Sequence, residues 1–260
     1  MKEVIHVAPE YIMNPTHPIT VSLIGCGGTG SYVLSCLGRI NHSLIAIGHA
    51  GLEVIVYDFD DISESNIGRQ QFCESQIGLN KAIVKTTEIN QYFRIAWEAI
   101  PEEFSTDNFI GSNFIISCVD TAKARLKINS IVLDFIAELD YRSPHRKVYY
   151  WMDFGNAKDT GQVIIGSLID IPQPKNKRKY RYISKIPTVA EKHDLKKIND
   201  RKTGPSCSHA EALMHQNLFI NSSLSQLGCD ILWQFLNDGL LKQSGLYLNL
   251  KNKILNPIPL

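Results

Sequence analysis

No two of the six cysteines in this 260-residue chain are spaced as a CxxC pair; they are Cys26, Cys36, Cys73, Cys118, Cys207 and Cys229. Without such a pair, spacing offers neither a zinc knuckle nor a thioredoxin-like redox site, and no zinc is expected. Scattered thiols of this kind read as small buried hydrophobes. An excess of one charge is lacking as well. The formal net charge is +1, which gives no global bias toward nucleic acid or a membrane surface. The N-terminus has no Lys/Arg-led apolar run of the signal-peptide kind, and no apolar stretch is long enough to span a bilayer. The expectation is a soluble, cytoplasmic protein. At 44% hydrophobic and 20% charged residues, the composition is that of an ordinary globular chain, long enough to bury a substantial core.

What is present alternates between strand and helix patterns. Ile19 to Ile24 (ITVSLI) is a short apolar run, followed by a helix over Ser31 to Ile40 and a second strand over Leu52 to Asp58. Lys81 to Asn90 is helix-like, Ile95 to Ile100 a short strand, Asn113 to Val119 a buried strand, and Thr121 to Leu139 a helix. Val148 to Phe154 and Gln162 to Leu168 read as two more strands. This alternation predicts an α/β fold with a mainly parallel sheet and helices on both faces. From Pro172 to Lys202 the sequence is rich in Lys, Arg and Pro with little apolar periodicity. It predicts a long mobile loop. A helix with Leu213, Ile220, Leu224, Leu227, Ile231 and Phe235 on one face follows, with Ser208 and Glu211 at capping-box spacing. The expected organisation is one domain: an N-terminal segment 1–18, a core 19–170, a basic loop 171–205, and a C-terminal helix and tail 206–260.

Between the first strand and first helix lies GCGGTG, Gly25 to Gly30. Glycines there let the backbone approach a phosphate, and a helix N-terminus adds N–H groups and the positive end of its dipole. Asp58 closes the second strand, where a carboxylate can accept hydrogen bonds from ribose hydroxyls. The pair suits a Rossmann-like, doubly wound nucleotide site but does not separate NAD from ATP.

The next segment does. Asp58-Phe59-Asp60 leads to Ser65-Asn66-Ile67-Gly68-Arg69-Gln70-Gln71, then to Gly78-Leu79-Asn80-Lys81, and later Cys118-Val119-Asp120 follows a buried strand. In these ordered motifs, from about Val21 to Leu168, the chain resembles the ThiF/MoeB/HesA family and the adenylation domains of ubiquitin-activating enzymes. Within that family it is similar to the ThiF-like proteins of PRTRC plasmid systems. The segments carrying that likeness are Met152 to Ala157, Gly161-Gln162-Val163 and Pro205 to Ser208. The resemblance implies an ATP-dependent adenylyltransferase that activates the C-terminal carboxylate of a ubiquitin-like protein. It implies nucleotide contacts from Gly25, Gly27, Gly28, Gly30, Asp58, Asp60, Asn66, Arg69, Gln70 and Lys81. Asp120 would bind Mg2+, with Arg69, Lys81 and Asp120 catalytic, and the protein would be a homodimer. Attack of a carboxylate on an α-phosphate builds negative charge on phosphate oxygens, so cations, a metal and positioning matter more than a strong base.

Cys207 is the exception among the thiols. It sits at or just before a helix N-terminus and follows the basic segment, two features that raise thiolate content. It is the candidate acceptor of the activated acyl group; a packed structural thiol is the alternative, and Cys73 is a weaker candidate. The basic segment could steer an acidic partner or be a solvated insertion. No reading helix for nucleic acid is evident. The chain also departs from the family. No Arg or Lys lies between Glu3 and Gly38, where small members supply an arginine to the other subunit's ATP. Two other functions stay open: a pseudoenzyme that binds ATP or a ubiquitin-like protein, and an NAD-dependent oxidoreductase resting only on the glycine turn and Asp58.

Overall fold

The computed structural model describes residues 2–138, 143–175, 179–198 and 216–260. The chain opens with strand β1 (Val4–Val7) and one helical turn, α1 (Glu10–Met13). Strand β2 (Ile19–Ile24), helix α2 (Gly28–Ala46) and strand β3 (Leu52–Tyr57) make a first parallel unit. Helix α3 (Lys81–Phe93) and strand β4 (Glu98–Ile100) extend it on one side. Strand β5 (Phe114–Ser117), helix α4 (Ala122–Glu138) and strand β6 (Tyr150–Asn156) extend it on the other. Then follow β7 (Thr160–Ser167), β8 (Arg181–Tyr182), α5 (Val189–Lys192) and α6 (Ile220–Asp238). Strands β9 (Leu240–Leu241), β10 (Gln243–Asn249) and β11 (Ile254–Pro259) end the chain.

The main sheet runs β11-β10-β7-β6-β5-β2-β3-β4. Its β4-to-β6 half is parallel throughout, whereas β7, β10 and β11 each pair antiparallel with a neighbour. The sheet is thus mainly parallel, as its apolar strands predict. Side-chain alternation sorts the core into two layers. Phe114 and Ile116 point to one layer with Leu34 and Leu37 of α2 and Leu224 and Phe235 of α6. Ile115 points to the other with Ile128 and Val132 of α4 and Trp151 of β6. A side chain like Leu37, fully buried, contributes roughly 2–5 kcal/mol against truncation to alanine.

Two expectations need correction. The basic segment is not a featureless loop over its described part. It carries β8 and α5, buries Ile186, Val189 and Leu195, and ties back through Ile186 N–H to Ser167 Oγ at 2.8 Å. Its lack of apolar periodicity is misleading because short turns anchored by single apolar residues leave no repeating pattern. The expected tail is a hairpin, β10-β11, that widens the main sheet. Pro257 and Pro259 in its edge strand cannot donate to another strand, which blunts that edge. The N-terminal segment is strand β1, held in a small sheet ordered β8-β1-β9. The C-terminal helix is α6; Leu213, Ser208 and Glu211 lie outside the described residues.

Candidate active site

The strand order reverses around β2, which has β3 on one side and β5 on the other. Crevices outside the carboxyl ends of strands at such a point are where open α/β sheets bind ligands. Gly25 follows β2 with φ +89°, and a Cβ there would lie 2.9 Å from the Cys118 carbonyl oxygen. A Cβ on Gly30 would lie 1.9 Å from the Gly25 carbonyl oxygen, so only glycine lets α2 start this close to the strand. The N-cap of α2 is Gly27, with no side-chain cap. Its first-turn N–H groups are left for an anion.

Asp58, at the end of β3, is buried. One carboxylate oxygen accepts from Cys26 N–H, the other from Asp60 N–H at 2.9 Å. Burial pushes its carboxyl above the ordinary range, opposed by those two amides. Asn80 caps α3 through Ile83 N–H and donates to the Asp58 and Asp60 carbonyls at 2.9 and 3.2 Å. That arrangement sets Lys81 beside Asp60, with Nζ 2.9 Å from Oδ2. Because Asp60 is half-exposed, the pair is worth at most about 1 kcal/mol, and the ammonium can turn to a phosphate at little cost.

Asn66 is buried; its Oδ1 accepts from Ser63 N–H at 2.9 Å. Arg69 donates through Nε and Nη2 to the Ser65 carbonyl, each at 3.2 Å, and through Nη1 to Gln216 Oε1 at 2.8 Å. Among the described residues no carboxylate pairs with it, and partial burial lowers its pKa. Gln70 lies over Gly27, with its Oε1 buried and lacking a partner among the described residues. Asp120 is exposed on the same cleft. It does not cap α4: Thr121 Oγ1 does, accepting from Ala124 N–H at 3.1 Å.

Gly25, Gly27, Gly28, Asp58, Asp60, Asn66, Arg69, Gln70, Lys81 and Asp120 all line one open cleft of about 1550 Å³. That exceeds the roughly 300–1,000 Å³ of a small-ligand pocket and leaves room beside a nucleotide for a second reactant. Gly30 sits behind it as a packing contact. Cys207 lies outside the described residues. Cys73 is exposed, with Sγ 3.2 Å from Ser75 Oγ, and does not line the cleft. Cys118 does, but burial pushes its thiol up, which makes it a poor nucleophile.

Sequence reasoning missed several residues here. Asp153 is fully buried and receives Arg125 Nε at 2.9 and 3.0 Å and Ser117 Oγ at 2.6 Å. Burial raises its carboxyl, with Arg125 opposing. Arg125 also donates to the Phe154 and Thr121 carbonyls at 3.0 and 3.2 Å. This pins the start of α4, and hence Asp120, to β6. His193 lines the cleft with Nε2 buried and unpartnered among the described residues. Arg125 stands in the helix after Asp120 and Asp153 within the Met152 to Ala157 segment, but nothing in the sequence pairs the two, and His193 carries no signal.

A model of the ThiF family matches residues 15–139, the stretch holding β2 through α4 and every motif from the glycine turn to Asp120. Residues 15–139 are a ThiF family domain. Ubiquitin-like modifier-activating enzyme 5 of Drosophila persimilis is 31% identical over 128 residues, covering 43% of this chain and 31% of that protein. The same enzyme of Drosophila willistoni is 31% identical over 128 residues, or 29% of its length. The chain thus spans about a third of the curated relatives it matches. The crystal structure of E. coli MccB superposes with a TM-score of 0.58 at 15% identity, over 95% of this chain and 63% of that one. PaaA superposes at 0.55 and 17% identity, over 93% and 64%. These likenesses show that the fold extends beyond the ThiF domain to the antiparallel strands and α6. MccB has also been crystallised with ATP. Among the described residues no helix is long and apolar enough to cross a membrane.

Proposed function

We propose that this protein adenylates the C-terminal carboxylate of a small ubiquitin-like protein with ATP. The observation carrying the reading is the cleft itself. It gathers an uncapped helix N-terminus, an arginine with no carboxylate partner among the described residues, a detachable lysine and an exposed carboxylate in one lining. That is a site for a polyanion. An NAD site would leave Asn66, Arg69, Lys81 and Asp120 without work.

Asp58 holds the ribose through the second lone pair on each carboxylate oxygen, and Asn66, Arg69 and Lys81 contact the phosphates. Three or more His, Cys, Asp or Glu poised to hold a metal occur nowhere among the described residues. Magnesium needs only one or two carboxylates when phosphate oxygens complete its shell, so Asp120 fits an ion that arrives with the nucleotide. When bound, that ion neutralises phosphate charge. The incoming carboxylate oxygen bonds to the α-phosphorus and the bond to the bridging oxygen of pyrophosphate breaks. Arg69 and Lys81 stabilise the charge that builds on the phosphate oxygens. No side chain need remove a proton, because the nucleophile is already a carboxylate.

ThiF relatives named for ubiquitin-like modifier activation support the choice of substrate, and a homodimer with a PRTRC-type neighbour as partner is part of the same proposal. Cys207 is proposed as the thiol that takes the acyl group from AMP. The test is ATP–pyrophosphate exchange with the ubiquitin-like partner present. Exchange that depends on the partner's free C-terminus supports adenylation; nucleotide binding without exchange supports the pseudoenzyme, which the absence of Lys or Arg between Glu3 and Gly38 favours. Cys207→Ser should keep exchange and lose any DTT-sensitive adduct, and survival of the adduct would place the nucleophile elsewhere.

A further inference from the structure

We propose that Gln216, braced by Asn221 of α6, is a positioning residue for the phosphate-binding arginine; the inference rests on reading Arg69 as a phosphate contact. Asn221 is 1% exposed, and its amide is fully used. Its Oδ1 accepts from Thr29 Oγ1 at 3.1 Å, Asn156 Nδ2 at 2.8 Å and, more weakly, Gln216 Nε2 at 3.4 Å. Its Nδ2 donates to Gln216 Oε1 at 3.2 Å and to the Arg69 carbonyl at 3.4 Å. A Cβ on Gly28 would lie 2.7 Å from that Nδ2, so the side chain is packed directly on the first residue of α2. One asparagine, 152 residues from Arg69 in sequence, thus touches the first turn of α2 and the arginine segment together.

Gln216 carries the brace to the guanidinium. Its Nε2 donates to Asn156 Oδ1 at 3.1 Å, which fixes which way the amide faces, and its Oε1 accepts from Arg69 Nη1 at 2.8 Å. With Nε and Nη2 both on the Ser65 carbonyl, every nitrogen of the guanidinium is oriented by a neutral acceptor. Such a cation is held in place without being neutralised. A structural arginine is usually treated otherwise, as Arg125 is here by the buried Asp153 carboxylate. A carboxylate at position 216 would still accept from Arg69 Nη1 but could not donate to Asn156 Oδ1, and it would cancel the charge that phosphate needs.

That contrast supplies the test. On the full chain, the affinity of Mg-ATP is measured by calorimetry and the melting temperature is taken without ligand, for wild type, Gln216→Ala, Gln216→Glu and Arg69→Ala. Gln216→Ala should weaken Mg-ATP binding about tenfold, as expected for losing one hydrogen bond to a charged group. Gln216→Glu should weaken it about a hundredfold, close to Arg69→Ala, while its ligand-free melting temperature stays close to that of Gln216→Ala, because the new ion pair is offset by the lost donor to Asn156. A merely structural brace would show the reverse order, with Gln216→Glu tolerated and affinity following stability. Wild-type affinity in Gln216→Glu alongside a loss in Arg69→Ala would overturn the positioning role alone. Undiminished affinity in Arg69→Ala would overturn the phosphate-contact reading beneath it.

Discussion

Asp120 and Arg125 are five residues apart and do opposite kinds of work. The Asp120 carboxylate is exposed and makes no hydrogen bond among the described residues, so nothing in the fold depends on it. Asp120→Ala should change stability by no more than about 0.5 kcal/mol, yet remove magnesium-dependent exchange; retained exchange would end its assigned role. Arg125 is the partner of a carboxylate with no access to water. Arg125→Ala should cost about 3–5 kcal/mol in a urea melt, because it strands the Asp153 charge. A variant that melts like the parent would show that Asp153 is protonated in the native state. Asp120 was legible in the sequence because a strand-end acid after an apolar run is a local pattern. The Arg125–Asp153 pair was not, since it joins residues 28 apart through the sheet register.

At the scale of elements, the junction of β2 and α2 depends on how close a helix can start to a strand. Gly30→Ala must push α2 away from the Gly25 carbonyl, and should destabilise by about 1–3 kcal/mol in the manner of overpacking. It should also lose nucleotide affinity; an unchanged melt and affinity would refute the close-packing role. The small sheet β8-β1-β9 hinges on His6, fully buried, with Nδ1 2.8 Å from the Ile183 carbonyl and Nε2 2.9 Å from Tyr150 Oη. Burial lowers its pKa, so the imidazole is neutral when folded, while the unfolded chain takes a proton near pH 6.5. Its stabilising contribution is therefore present above about 6.5 and falls as the pH drops below it. Comparing wild type with His6→Gln at pH 7.5 and 5.5 isolates this group. The wild-type advantage should shrink at the lower pH, and a constant difference would contradict the assignment. The parallel strands and α2, α3 and α4 were legible from period and apolar content. The β10-β11 hairpin and the turns of the basic segment were not, because their few buried apolar residues, such as Leu246, Leu248 and Ile186, are spread among polar ones and the strands form by pairing with β7 and β1.

On the scale of the whole molecule, ordered motifs scattered over residues 25–120 converge on one cleft because the sheet reverses order at β2. The glycine turn, Asp58, Asn66, Arg69, Lys81 and Asp120 were readable one by one. What closes the site from the far side of the chain, Asn156, Gln216, Asn221 and His193, was not readable, since lone amides and a lone histidine carry no spacing signal. The claim on which the account stands is that this cleft is built for a nucleoside triphosphate. The measurement that reaches it most directly is the thermal shift of the full chain with Mg-ATP, with NAD alongside, repeated on Arg69→Ala. At a hundred times its dissociation constant a ligand adds about 2.7 kcal/mol to the folded state, roughly 5–10 °C for a chain of this size. A nucleoside-triphosphate cleft should give that shift with Mg-ATP, none with NAD, and lose it in Arg69→Ala. Stabilisation by NAD alone, or an equal Mg-ATP shift in the variant, would contradict it.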